Sequence, residues 1–240
     1  MSNVKRPVFY RFSEATSENI NRDFQIHTRL TDGEGEIVEV LDQAIACGLA
    51  EIAFTEHARH TSTYYPEFFA EIDNLAENYA DLTVFRGFEV KLTDTQGSLD
   101  ISADMRAQAG IILASVHGLP RKNHPPAPAR DFSEKEANRI EFETSMGLLQ
   151  NGKADVLSHC GGMSLRTFGK FPFSCFDELI AETAKTDIAF EINSSYHSDC
   201  LDILLPLLQK YNPLISVGSD VHKLSSLAEC RDKMQEILGL

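Results

Sequence analysis

The chain has 240 residues, of which 42% are hydrophobic, enough for one large α/β domain or two small ones. The 22 basic and 36 acidic residues leave a formal net charge of −14. Such a surface repels a phosphate backbone, which argues against general nucleic-acid binding. A small anionic substrate stays open, because a bound metal ion reverses the local field.

The five cysteines form no Cys-x-x-Cys pair, and their odd number is typical of reduced thiols in a cytosolic protein. Residues 1–20 carry charges and lack the apolar stretch of a signal peptide. No segment approaches the roughly 20 apolar residues of a membrane span. We therefore expect a cytoplasmic protein with no membrane partner. Nothing in the sequence indicates an oligomeric state.

Short apolar runs alternate with segments of helical periodicity along the chain. Residues 1–22 are mostly polar and are predicted to form an N-terminal arm or cap. A turn signal at 94–97 predicts a local hairpin, and Ser133 with Glu136 forms a capping box that begins a helix. The proline-rich segment 120–128 is predicted to be a mobile rim loop. Strands are predicted at 24–27, 52–55, 82–85, 111–116, 154–158, 188–192 and 214–219, and helices at 34–48, 66–80, 133–150, 174–185, 201–210 and the end of the chain.

This alternation predicts parallel strands joined by right-handed crossovers. Each strand reads as a continuous apolar run, as expected for a sheet that is covered on both faces. Seven such units without a break in composition favour one α/β domain over residues 23–240, a distorted (β/α)7 barrel that is TIM-barrel-like. An open doubly wound sheet is the alternative.

Residues with metal-ligand chemistry follow one predicted strand after another. A lone histidine at a strand end is more often structural, but the repetition favours a shared site. The carboxyl ends of barrel strands converge on one mouth, whereas an open sheet spreads them along an edge. The residues are His27, His57, Glu89, His117, His159, Asn193, Asp220 and His222.

Imidazole and carboxylate groups are ligands for divalent zinc, iron or manganese. A catalytic ion takes three or four protein ligands, and the candidates exceed that number, the more so with Asp32 in the first loop. The excess predicts a cluster of two or three divalent ions. Two ions roughly 3.5–4 Å apart can activate a water and hold both the attacking and the leaving oxygen of a phosphate.

The segments that carry these residues resemble the PHP (polymerase and histidinol phosphatase) family of metal-dependent phosphoesterases. They follow the family's order over about residues 22–225. Thr55-Glu56-His57-Ala58 and Ser115-Val116-His117 are most similar to the histidinol-phosphate phosphatase branch. The other matching segments are 23–28 with 32–33, 87–89, 157–159, 191–195 and 218–222.

The resemblance implies a distorted (β/α)7 barrel with up to three ions, two of them bridged by Glu89. Gln25 stands where the family's first motif has a second histidine. A neutral amide is a weaker donor than an imidazole, so we expect one labile ion. The implied metal ligands are Gln25, His27, Asp32, His57, Glu89, His117, His159, Asp220 and His222.

We therefore expect a metal-dependent phosphomonoesterase that acts on a small phosphorylated metabolite, similar to a histidinol-phosphate phosphatase. A metal-bound hydroxide attacks phosphorus, and Asp220 or His222, when protonated, assists the leaving oxygen. The candidate phosphate clamp is Arg166, because arginine binds phosphate through two hydrogen bonds. The other candidates for substrate binding are His197 and, in the loop at 120–130, Arg121 and Lys122.

Two alternatives stay open. The same metals would serve a phosphodiesterase or exonuclease that acts on short substrates. A degenerate module that binds a phosphorylated ligand without turnover is the other alternative, and only Gln25 favours it.

Overall fold

The computed structural model describes residues 4–121 and 124–240. Its strands are β1 (Tyr10–Arg11), β2 (Arg22–Ile26), β3 (Glu51–Ala58), β4 (Thr83–Lys91), β5 (Ile111–Ser115), β6 (Leu119–Arg121), β7 (His124–Ala127), β8 (Val156–Leu157), β9 (Ala189–Asn193) and β10 (Leu214–Gly218). Its helices are α1 (Ile37–Ala46), α2 (Tyr65–Ala76), α3 (Ala103–Gln108), α4 (Glu134–Asn151), α5 (Gly162–Phe168), α6 (Phe173–Thr183), α7 (Ser194–His197), α8 (Leu201–Tyr211) and α9 (Glu229–Leu238).

Eight strands form one sheet in the order β1-β10-β9-β8-β5-β4-β3-β2. Seven of them, from β2 to β10, are parallel and lie side by side in chain order, and β1 pairs with β10 antiparallel. The predicted α/β class with a mainly parallel sheet is therefore confirmed. Helices connect most of these strands, as parallel pairing requires.

The first and last parallel strands meet at their carboxyl ends. Ile26 forms a parallel bridge with Val221, just beyond β10. The His27 amide donates to the Val221 carbonyl at 3.0 Å, and the Val221 amide donates to the Gln25 carbonyl at 2.9 Å. One Asp23 carboxylate oxygen accepts from the Ser219 amide at 3.0 Å. These bonds hold the residues after β2 beside those after β10.

The parallel strands form the core because their side chains, most of them apolar, are buried on both faces. All five residues of β2, β5 and β9 are buried. Amphipathic helices cover the sheet; α1, for example, buries Ile37, Val40, Leu41 and Ala44. No helix among those described is both long and apolar enough to cross a bilayer.

The predicted hairpin near residue 95 is confirmed by an antiparallel bridge between Leu92 and Leu99. Other local features differ from the sequence predictions. The segment predicted to be a rim loop pairs as the antiparallel strands β6 and β7, although its prolines reduce the number of amide donors. The short helices α3, α5 and α7 were not predicted. The amides of Met163 and Ser164, at the start of α5, both donate to the buried Glu141 carboxylate at 2.9 Å, which explains how so short a helix begins there.

The N-terminal segment contributes to the packing. Besides the pairing of β1 with β10, the Ser13 amide donates to the Asn212 side chain at 2.8 Å. Phe12 and Ile20 are buried in the same apolar cluster as Phe190 and Val217 of β9 and β10.

Candidate metal centre

The strand-end residues come together because neighbouring strands end at similar heights. His57 on β3 and Glu89 on β4 occupy paired positions in the parallel register. His27 directly follows β2, and His117 and His159 each lie two residues beyond the strands β5 and β8. The bond between the His27 amide and Val221 brings the segment after β10 to the same place.

Glu89 is the centre of the cluster. Its carboxylate is fully buried, with the Oε1 atom 3.0 Å from His117 Nε2 and 2.7 Å from His159 Nε2. The Oε2 atom lies 2.9 Å from His57 Nδ1 and 3.6 Å from His27 Nε2. One carboxylate therefore contacts four imidazoles from four different strand ends.

The two aspartates complete the other side of the cluster. Asp32 Oδ2 lies 3.2 Å from His57 Nε2, and its Oδ1 lies 3.3 Å from His222 Nε2. Asp220 Oδ1 lies 3.3 Å from His27 Nε2 and 3.6 Å from His222 Nδ1. All eight charged or imidazole ligands named from the sequence are thus neighbours, and Gln25 is treated separately below.

The donor set fits divalent cations. Two groups, His27 with His57 and His222, and His57 with Glu89 and His117, have ligand atoms within 4.8 Å of one another. The contacts of Glu89 Oε2 with His57 and of His27 Nε2 with Asp220 do not have hydrogen-bond geometry, and His27 Nδ1 has no hydrogen-bond partner within the described residues. Buried polar atoms are normally satisfied, so this arrangement suits ligation rather than a closed hydrogen-bond network.

Glu89 and the imidazoles around it shift one another's pKa values. Burial by itself raises the pKa of Glu89, but His117, His159 and His57 hold that pKa well below its usual range. Burial lowers the pKa of His159, yet the Glu89 carboxylate outweighs it and raises that pKa to about 9. At His117 burial prevails and lowers the pKa. Positive charge beside Glu89 therefore stabilises its buried carboxylate, and a divalent cation supplies such charge.

Two of these residues have left-handed backbone, which is uncommon for residues other than glycine. The φ angle is +25° at His159 and +52° at Asp220.

A second buried carboxylate, Glu191, holds the segment of His159. The His159 amide donates at 2.7 Å to Glu191 Oε2, which also accepts from the Ser158 hydroxyl at 2.7 Å. Glu191 is fully buried, and burial raises its pKa to about 7. Sequence reasoning quoted Glu191 only as part of a motif, although a carboxylate inside an apolar strand was the available signal.

Gln25 contacts a neighbouring side chain rather than the histidines. Its Oε1 atom accepts a 2.7 Å hydrogen bond from the Asn193 amide nitrogen, which also donates to Glu191 Oε2 at 3.2 Å. The carbonyl oxygen that sequence reasoning assigned to a metal therefore faces Asn193. This arrangement counts against direct ligation of a metal by Gln25. Asn193, at the end of β9, holds the Gln25 side chain instead.

The loop that carries Asp32 is fixed by a buried carboxylate. Glu56 Oε1 accepts from the Thr28 amide at 2.7 Å and from the Thr28 hydroxyl at 2.5 Å, and Oε2 accepts from the Thr31 hydroxyl. Glu56 precedes His57 on β3, so consecutive residues face opposite sides of the strand. Sequence reasoning missed this positioning role.

The residues predicted to bind substrate lie in different surroundings. The exposed Arg166 places its guanidinium carbon 4.4 Å from the centre of the Tyr196 ring, and Tyr196 stacks on His159 at 4.4 Å. Arg166 also lines a cavity of about 330 Å³ next to Tyr196. Arg121 is exposed and donates to the Pro125 carbonyl at 3.1 Å within the β6–β7 hairpin. Lys122 lies outside the described residues.

His197 is fully buried. Its Nδ1 atom accepts from the Asn193 amide at 3.2 Å, and its Nε2 atom lies 2.9 Å from the Cys160 carbonyl. Both ring nitrogens are occupied, which counts against the predicted binding role. Burial lowers the pKa of His197 to about 4, so it packs as a neutral residue under the loop after β8.

Comparison with known proteins identifies one family. The profile of the PHP domain matches residues 23–195. A protein named probable phosphatase from Shewanella piezotolerans is 26% identical over 227 residues, which cover 90% of this chain and 83% of that protein. The DNA polymerase/3'-5' exonuclease PolX of Bacillus subtilis is 23% identical over 222 residues, 88% of this chain. The match spans only 36% of the length of PolX.

Two solved structures have the same fold. One is a histidinol phosphate phosphatase from Lactococcus lactis complexed with zinc, L-histidinol and phosphate, with a TM-score of 0.68 and 21% identity over 91% of this chain and 92% of that chain. The other is described as a candidate histidinol phosphatase from Listeria monocytogenes, with a TM-score of 0.70 and 18% identity over 88% and 99% of the two chains.

Proposed function

The chain belongs to the PHP-domain family and is a metal-dependent phosphoesterase, and from this premise we propose that it hydrolyses phosphate monoesters of a small metabolite. The observation that supports this most is the contact of one buried carboxylate, Glu89, with four imidazoles at the mouth of a parallel sheet. The bridge between Ile26 and Val221 supports the finer interpretation of the sheet as a distorted (β/α)7 barrel over residues 23–240.

We assign two or three ions of zinc, iron or manganese to this cluster. When bound, such ions activate a water and neutralise the charge that develops on the phosphoryl oxygens. Glu89 belongs to the group with His57 and His117 and also contacts His27 of the other group, so we propose that it is shared between ions. Gln25 is not included, because its carbonyl oxygen bonds to Asn193. The proposed ligands are His27, Asp32, His57, Glu89, His117, His159, Asp220 and His222.

The chain's own groups orient the ester and supply a proton. The His222 side chain is 36% exposed, and its Nδ1 lies 3.0 Å from the Asp220 carbonyl. We propose that whichever of His222 and Asp220 does not ligate an ion holds the proton that passes to the leaving oxygen. Arg166 is the proposed phosphate clamp, since Tyr196 links its position to His159.

A screen of phosphorylated metabolites tests this function, with manganese, zinc and iron supplied separately to chelator-treated protein. Histidinol phosphate is the first compound to try, given the name of one structural neighbour. We expect phosphate release from at least one small monoester. If none is hydrolysed by protein shown by elemental analysis to hold metal, a non-catalytic module that binds a phosphorylated ligand becomes the better interpretation.

A phosphodiesterase is the second candidate, supported by the sequence match to PolX. Hydrolysis of bis(p-nitrophenyl) phosphate and p-nitrophenyl phosphate at equal concentrations separates the two. A higher kcat/KM for the diester would overturn the monoesterase assignment.

A further inference from the structure

Two cations extend outward from the metal cluster on neighbouring strands. Lys91 follows Glu89 by two residues on β4, and Arg59 follows His57 by two residues, directly after β3 ends at Ala58, which pairs with Val90. Side chains two residues apart on a strand point to the same face, about 6–7 Å apart along it. Since His57 and Glu89 are paired in register, Arg59 and Lys91 form the next layer outward toward the mouth.

Both cations line two adjoining cavities. One, of about 360 Å³, is also lined by Asp32, His57 and Glu89 of the cluster. The other, of about 460 Å³, lies farther out, and His117 lines both. A substrate whose phosphate sits at the cluster would therefore extend its leaving group past Arg59 and Lys91 into the outer cavity.

The outer cavity combines positive charge with an apolar wall. Among the described residues, neither Arg59 nor Lys91 forms a salt bridge. The single acidic residue in the lining described, Asp100, accepts through Oδ1 from the His60 amide at 3.0 Å and from His60 Nδ1 at 2.5 Å. Burial alone would raise the pKa of Asp100, but these bonds and the nearby charge of Arg59 lower it, so Arg59 is partly compensated and Lys91 is not. The apolar lining is Leu92, Pro125, Pro126, Ala127 and Pro128.

We propose that the leaving group of the substrate carries its own anionic group, bound by Arg59 and Lys91, and an apolar part that packs on residues 125–128. This inference rests on the proposed monoesterase function and narrows its substrate class. A carboxylate or a second phosphate satisfies the chemistry equally. A leaving group with an ammonium ion, such as that of histidinol phosphate, meets two like charges instead.

The net charge of −14 makes the two cations Arg59 and Lys91 more important for binding an anion. A multiply charged anion is repelled by the surface as a whole, so specific binding has to come from cations close to the site. Arg59 and Lys91 stand where such an anion enters, next to the cluster.

Three aryl phosphates with similar leaving oxygens test the proposal: 4-(carboxymethyl)phenyl, 4-methylphenyl and 4-(aminomethyl)phenyl phosphate. We expect wild-type kcat/KM to be about tenfold higher for the carboxymethyl ester than for the methyl ester, as one charge-assisted hydrogen bond would give. The aminomethyl ester should be the poorest. In Arg59→Gln/Lys91→Gln, the carboxymethyl-to-methyl ratio should fall to about two or less, mainly through KM.

The matched control is Lys135→Gln/Lys153→Gln, which removes two exposed cations outside both cavities. It changes the net charge equally and should keep the wild-type ratio. A wild-type ratio near one, an unchanged ratio in Arg59→Gln/Lys91→Gln, or an equal loss in the control would overturn the proposal.

A binding measurement separates failure of this inference from failure of the proposed function. Calorimetry with 4-hydroxyphenylacetate and 4-methylphenol needs no turnover, and the acid should bind the wild-type protein about tenfold more tightly. If no ester is hydrolysed but this difference is present and is lost in Arg59→Gln/Lys91→Gln, the anion site stands and the phosphatase proposal fails. If hydrolysis occurs but the acid has no advantage, the anion site fails alone.

Discussion

Gly33 allows the loop of Asp32 to pack directly on the backbone of His27. A β-carbon at Gly33 would lie 2.2 Å from the His27 carbonyl oxygen and 2.9 Å from the Thr28 nitrogen. Ordinary contact begins near 3.4 Å, so Gly33→Ala has to displace either His27 or the turn of Asp32. The shift is about 1 Å, and overpacking of this kind costs about 1–3 kcal/mol of folding free energy.

The displacement acts on proposed ligands of the metal cluster. A shift of about 1 Å exceeds the roughly 0.5 Å within which a functional site has to be held, so we expect metal affinity to fall 10- to 100-fold. Thermal or urea unfolding with and without excess zinc measures the effect. A 100-fold weaker affinity removes about 2.7 kcal/mol of the stabilisation that the metal gives to the wild-type protein.

Gly48→Ala is the control, because a β-carbon there has no neighbour within 4 Å. Its φ angle of +68° makes alanine unfavourable by about 1 kcal/mol, but Gly48 lies after α1, away from the cluster. Gly48→Ala should therefore lose some stability and keep the full response to zinc. If Gly33→Ala responds to zinc as the wild-type protein does, the contact does not position the ligands.

Three further predictions follow from single residues. His117→Ala should lower bound metal, measured by elemental analysis, and activity together, whereas the control His60→Ala should keep its metal; full metal content in His117→Ala would contradict the cluster. Gln25→His should increase the metal retained per chain after gel filtration, and an unchanged content would show that this position does not limit occupancy. Because burial lowers the pKa of His197 from 6.5 to about 4, the unfolded chain takes up this proton first, so folded stability falls as pH falls below about 6.5. The advantage of the wild-type protein over His197→Gln in urea unfolding should shrink by about 2 kcal/mol from pH 7.5 to pH 5.0, and a constant difference would contradict the neutral burial of His197.

Most of the residues that form the cluster could be predicted from the sequence. Parallel strands end on one side of a sheet, so a histidine, glutamate or aspartate after each apolar run was enough to predict which side chains meet. His57 and Glu89 illustrate this: the sequence placed both at the ends of neighbouring parallel strands, and the structure shows that they are paired in register. The number and class of parallel strands followed from the same pattern.

Other features depend on contacts between residues far apart in the chain. The hydrogen bond between the Asn193 and Gln25 side chains joins residues 168 positions apart, and the sequence around either residue does not predict it. The burial of His197 between Asn193 and Cys160 was likewise hidden, because a histidine after a strand looks the same whether it faces substrate or core.

Some features were within reach of sequence reasoning but were overlooked. Arg59 and Lys91 each follow a predicted ligand by two residues, the spacing at which side chains of an extended segment point to the same side. The segment at 120–128 was predicted to be a loop from its proline content, yet a short two-stranded ribbon tolerates proline at an edge.

The pairing of Ile26 with Val221 also bears on the order of events during folding. His27 and Asp220 belong to one cluster although they are roughly two hundred residues apart, and closing so long a loop is slow relative to forming local helices and neighbouring strands. During synthesis the chain would have to emerge from His27 through His222 before the full set of proposed ligands could assemble. We therefore expect tight metal capture to be a late event, with the metal stabilising the finished fold rather than guiding its early steps.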